Sequence, residues 1–211
     1  MEDAERAGLK DNLRAMIAGR GDGIDIDTPF QWIVEDLRSP EPFFENLGLL
    51  IPQDAILYFE GCTIAPEAVS FYEAHPAQNA VAVVRDTLFP TPETFHVRFV
   101  PAVTTQLLRL LAEHGREKLF DHVKAYKGES LLFTFHDAFE GWLMISDKVP
   151  ESVITAFCQK LGVKSRREPT PKRDTKAIQA LLYAMENPGK VRICGETWWK
   201  RTWRRLTTRG K

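Results

Sequence analysis

The chain has 211 residues, 44% of them apolar and 27% charged, with a formal net charge of −1. These are ordinary globular values, and they exclude bulk disorder, collagen-like repeats and low-complexity sequence. The length suits one domain, or one domain with an appendage, and a pI near 6.5 makes the whole molecule neither a polyanion nor a polycation.

Residues 3–18 predict a helix, because Leu9, Leu13, Met16 and Ile17 recur at i, i+4, i+7 and i+8 and form one apolar stripe. The run Gly19-Arg20-Gly21-Asp22-Gly23 stops it. Thr28-Pro29-Phe30-Gln31 has the form of a capping box with proline at the first helical position, which predicts a short helix to about Leu37. Ser39-Pro40 starts another through Phe43, Phe44 and Leu47.

After Pro52 the pattern changes. Ala55 to Phe59 is a compact β-type run, and 66–75 is a helix. Ala80 to Val84 is uniformly apolar, as a strand covered on both faces would be. Together these predict a parallel, right-handed strand–helix–strand unit. Pro90 and Pro92 make a loop, and Phe95 to Phe99 alternates as a half-buried strand.

Pro101 opens a helix with Val103, Leu107, Leu110 and Leu111 on its buried side. Three strands follow, His122–Tyr126, Leu131–His136 and Trp142–Ser146, with connections short enough for an antiparallel meander. Pro150 begins a helix through Val153, Ile154, Phe157 and Leu161, stopped by Gly162. Val163 to Arg173 is basic, holds two prolines and lacks an apolar period, so it reads as a linker. A helix carrying Ile178, Leu181, Leu182 and Met185 comes next, then a last helical segment over 196–208.

The expected fold class is therefore α+β: a mostly antiparallel mixed sheet of about six strands flanked by helices. An N-terminal helical segment precedes it and a basic helical C-terminal tail follows. The expected division is an acidic globular domain over 1–162 (helical lead-in 1–50, sheet-containing body 55–161) and a basic linker with C-terminal helices over 163–211.

Charge divides the same way. Residues 163–211 hold 14 Lys and Arg against 4 Asp and Glu, net +10, while residues 1–162 hold 14 against 25, net −11. Within the basic part, three of the five tryptophans fall in six residues. As a helix, Trp199, Trp203 and Leu206 would share a face, with Trp198, Lys200, Arg201, Arg204 and Arg205 around it. Such a segment can dock in a groove of an acidic protein surface or of its own body, grip nucleic acid phosphates and bases, or lie on an anionic bilayer.

His96, His122 and His136 are the candidate metal ligands. Each falls on one face of its strand, and Asp121 and Asp137 stand next to two of them in sequence. If their strands are neighbours, three imidazoles and a carboxylate would suit a zinc or iron ion. His136-Asp137 matches a metal phosphohydrolase dyad in letters only, since it ends a strand. Cys62 sits at a strand end without a nucleophile elbow around it. No P-loop or GxGxxG is present, and Asp22, Asp25 and Asp27 lack EF-hand spacing.

No apolar run reaches 18 residues, so no transmembrane helix is expected. The acidic start and the scattered Cys62, Cys158 and Cys194 predict a cytoplasmic protein with reduced thiols. The first functional expectation is an interaction module that uses its Trp/Arg-rich C-terminal helix. The alternatives are a nucleic-acid-associated protein using the same tail and a metal-dependent enzyme using the histidines.

Overall fold

A computed structural model describes residues 10, 14, 23–87, 90–171 and 175–187. Seven strands form one sheet: β1 Phe30–Val34, β2 Ile56–Gly61, β3 Glu93–Arg98, β4 His122–Lys127, β5 Ser130–Phe135, β6 Leu143–Ser146 and β7 Ser165–Pro169. Their order is β3-β2-β4-β5-β6-β1-β7, and every pairing is antiparallel. The helices are α1 Pro40–Leu50, α2 Pro66–Ala74, α3 Pro101–His114, α4 Glu151–Leu161 and α5 Thr175–Glu186. This is the α+β class that the sequence predicts. No described helix is long and apolar enough to cross a membrane.

The chain divides into two compact units, one over Gly23–Pro171 and one formed by Met1–Asp22 with Lys172–Lys211. In the second unit, Lys10 and Arg14 are helical and Arg14 bonds Glu186 of α5 at 2.6 Å. The remainder of the 3–18 helix and the segment over 196–208, with all the tail tryptophans, lie outside the described residues.

In the larger unit, strand alternation decides what each face of the sheet carries. Leu57, Phe59, Val97, Val123, Ala125, Phe133, Phe135, Leu143 and Ile145 face α1–α4 and form the main core. Phe43 of α1 sits at its centre, edge-on to Phe44, Phe133, Phe135, Phe139 and Phe157 at 5.0–6.1 Å. The opposite face is thinner. Ile33, Tyr58, Tyr126, Leu131 and Met144 are covered there by Ile26 and Val83.

Three predicted elements are corrected. Residues 28–37 form no helix, because β1 occupies the slot between β6 and β7. Thr28 does not cap anything; its hydroxyl donates to the Phe30 carbonyl at 2.7 Å. Both ladders of a central strand outweigh one local capping signal. The linker at 163–173 contains β7, whose Arg and Glu content reflects a wet edge strand closed by proline. Arg166 pairs with Glu35 and Arg167 with Asp147, and Arg167 also stacks over the Phe30 ring at 4.3 Å.

The run at 80–84 is no sheet strand, and the parallel strand–helix–strand unit does not form. Val83 makes one isolated bridge to Ile24, fixed by Ile24 N–H to the Ala82 carbonyl at 2.9 Å and Val84 N–H to the Ile24 carbonyl at 3.1 Å. Val83 and Val84 are buried and Val81 is half-buried, while Ala80 and Ala82 are exposed, and periodicity alone does not distinguish such burial from ladder membership.

Candidate functional site

The second sheet face changes from apolar to charged along β2, β4 and β5. Alternation puts Tyr58 and Glu60 of β2, His122, Lys124 and Tyr126 of β4, and Thr134 of β5 on that side. Register aligns them: Tyr58 lies opposite Lys124, Lys124 opposite Thr134, and Glu60 opposite His122. Of the six buried polar or charged residues among those described, four are Glu60, His122, Lys124 and Thr134. Burial of that kind requires partners.

The partners come from two loops. In the first, Asp86 and Thr87 donate their backbone N–H groups to the Glu60 carboxylate at 2.6–3.1 Å. Tyr58 donates its hydroxyl to the same carboxylate at 3.0 Å. This clamp delivers the Asp86 side chain to Lys124, whose ammonium stands 3.1 Å from one carboxylate oxygen and also donates to the Val84 carbonyl. Thr134 donates to the other oxygen at 3.3 Å.

The second loop is the turn after β5. His136 enters it, and its ring stacks on His122 with centroids 4.6 Å apart and planes 9° from parallel. Its two nitrogens face two carboxylates, Nε2 at 3.2 Å from Asp137 and Nδ1 at 3.6 Å from Asp86. The turn is strained: Asp137 and Phe139 adopt φ of 43° and 70°. It is held by Ala138 N–H to the Asp121 carbonyl at 2.9 Å, by Arg116 on the Ala138 carbonyl, and by Phe139 buried in the aromatic core. Gly141 is required by close approach, since a Cβ there would lie 2.2 Å from the His136 carbonyl oxygen.

Hydrogen bonding fixes the protons. A backbone N–H can only donate, so the Asp137 N–H at 2.9 Å makes His122 Nδ1 an acceptor. His122 is thus neutral with its proton on Nε2, which donates to Thr87 Oγ1 at 3.0 Å. Burial lowers its pKa, against the charges of Asp86 and Glu60. For His136, burial also opposes charge, but its contacts with Asp137 and Asp86 and their negative charges prevail and push it up to about 10. Burial would raise Asp86, yet Lys124 and the bonded His136 hold it well below the usual carboxylate range. An imidazolium therefore lies flat against a neutral imidazole.

The predicted histidine triad is half assembled. His122 and His136 meet because β4 and β5 are neighbours. His96 does not join them, because β2 lies between β3 and β4 and sets it about 10 Å to the side. Its Nδ1 bonds the Tyr126 hydroxyl at 2.8 Å instead, and burial lowers its pKa. Asp137 joins the cluster as its position in sequence suggests. The Asp121 side chain turns away and accepts the Cys62 N–H at 2.8 Å. Cys62 is exposed, and burial of its thiol followed by the charges of Asp121 and Glu60 raises its pKa, the reverse of an activated nucleophile.

Asp86 completes a set with His122 and His136 whose donor atoms lie within 4.8 Å of one another. In this arrangement the same donor atoms are engaged within the chain. His122 presents a proton at Nε2 and a bonded lone pair at Nδ1, His136 faces carboxylates at both nitrogens, and Lys124 already neutralises Asp86. Parallel rings also aim their in-plane lone pairs side by side and not at one point. What the residues make is a closed lock of charges and protons that ties the 84–87 loop and the 136–141 turn to the sheet.

Sequence reasoning missed Glu60, Asp86 and Thr87. Glu60 has a faint signal, a carboxylate ending the apolar run Ala55–Phe59. Asp86 and Thr87 have none, being loop residues that only tertiary register brings to Lys124 and His122. Comparison with known proteins finds no matching family model, no matching curated protein and no matching solved structure.

Proposed function

We propose that this chain is an interaction module that binds an acidic protein surface through the cationic, indole-rich segment Trp198, Trp199, Lys200, Arg201, Trp203, Arg204 and Arg205. The observation that carries this reading is the charge division, net +8 over residues 172–211 against net −9 over residues 1–171. The chemistry of the 23–171 unit supports it from the other side. The most polar assembly of that unit satisfies its donors and acceptors within the chain, as a structural lock does. Tryptophan and arginine are the residues that anchor protein interfaces, and guanidinium pairs carboxylates in a bidentate geometry.

The test is titration of the full chain, followed by tryptophan fluorescence, with a glutamate-rich peptide, a single-stranded oligonucleotide and a DNA duplex. Saturable binding of the peptide is expected, together with its loss when residues 188–211 are deleted. The double substitution Trp199→Ala, Trp203→Ala should abolish binding while leaving the melting temperature of the 23–171 unit unchanged. Binding that survives the deletion overturns the proposal. So does binding of the oligonucleotides alone with a log–log salt slope of about −5, the mark of some six neutralised phosphates.

A further inference from the structure

We infer that the outward face of α1 seats the cationic, indole-rich segment of a second copy of this chain, so that the acidic partner surface is one the protein itself carries. The inference rests on that segment being a binder of acidic protein surfaces. α1 packs against both α3 and α4, and its inner side is fully used, with Phe43, Phe44, Leu47 and Leu50 buried in the main core. Its outer side carries Glu41, Glu45, Gly48 and Leu49, all exposed and about one turn apart.

Three choices on that stripe work against the helix that bears them. Glu41 suits the helix N-terminus, but Glu45 four residues on repels it, and α1 has no basic residue to answer either. Neither carboxylate has an ion pair or a hydrogen bond among the described residues. Gly48 stands in a helix interior, where alanine is favoured. Nothing in the fold asks for glycine there, since a Cβ would meet only the Phe99 ring, at an ordinary 3.9 Å. Leu49 is 50% exposed, more than any other large apolar side chain described in the 23–171 unit. Choices that cost a helix locally and return nothing inside the fold mark a surface kept for a partner.

The stripe also specifies the partner's chemistry. A glycine beside an exposed leucine leaves a shallow apolar notch that takes a flat indole. Two carboxylates one turn apart match two guanidinium groups one turn apart. Residues 198–205 hold both, with Trp199 and Trp203 four residues apart and Arg201 and Arg205 likewise. A second copy is the acidic protein that always accompanies the segment, and its net −9 over residues 1–171 meets the net +8 over 172–211.

Sedimentation of the full chain over about 1–100 μM, the range of weak protein contacts, tests this. The weight-average mass should climb above the 24.1 kDa of one chain and return to it in high salt. Gly48→Ala should weaken association about tenfold while raising the melting temperature, an outcome that damage to the fold does not produce. Glu41→Lys with Glu45→Lys should abolish association, as should Arg201→Glu with Arg205→Glu, and mixing these two variants should restore it. A chain that keeps the mass of one copy throughout and still binds the glutamate-rich peptide overturns this inference and leaves the proposed function standing. A chain that does neither overturns both. Association untouched by Gly48→Ala and by the charge reversal of α1, or a mixture of the two reversed variants that stays monomeric, overturns the inference as well.

Discussion

Lys124 shows how one residue can be costly and necessary together. The residue is 1% exposed, and Asp86 and the Val84 carbonyl replace the water its ammonium loses. Lys124→Met should keep the volume and leave Asp86 with only His136 as counter-charge. We expect a loss of about 3 kcal/mol in urea unfolding, since removing one partner of a buried pair leaves an uncompensated charge. Gly141→Ala makes the steric counterpart of that test. A methyl group 2.2 Å from the His136 carbonyl forces the turn to shift. It should cost about 1–3 kcal/mol and displace the His136 ring resonances, while alanine at Gly128, where nothing lies within 4 Å, should leave those resonances in place.

At the level of elements, the helices and the meander were legible because one signal dominated each. α3 and α4 combine a proline start, an apolar stripe and a glycine stop, and β4–β6 have short connections. β1 and β7 were illegible for opposite reasons. β1 carries a local helix-start signal that two neighbouring ladders outweigh, and β7 is an edge strand whose exposed residues copy the composition of a linker. The cluster suffered in the same way, because alternation places His96, His122 and His136 on one face but says nothing of strand order. The core makes a firmer test. Phe43 touches five rings drawn from α1, β5, α4 and the 136–141 turn. Phe43→Ala should cost about 3–5 kcal/mol, and a loss below 1 kcal/mol would show that these elements do not meet there.

For the whole molecule, the two stacked histidines set a pH optimum. His136 is raised by folding, so its contribution is complete below about 6.5 and is lost as pH climbs toward about 10. His122 is lowered by folding, so stability is lost as pH drops below about 6.5, where the unfolded chain takes up a proton that the folded chain refuses. Urea unfolding of the full chain from pH 4.5 to pH 10 should therefore trace a dome with its crest near 6.5. His136→Gln should flatten the alkaline limb and leave the acid limb in place. A profile that rises steadily to pH 9 contradicts the His136 assignment, and an acid limb that is flat below about pH 6.5 contradicts that of His122.

The buried cluster is a closed lock of charges and protons. Nitrogen-15 NMR of the histidine side chains at pH 7 tests it most directly. The expected result is a His136 ring protonated at both nitrogens beside a neutral His122 ring protonated at Nε2 alone, with neither signal moved by an equivalent of zinc. A neutral His136, or a His122 ring bare at Nε2 and shifted by the metal, would contradict it.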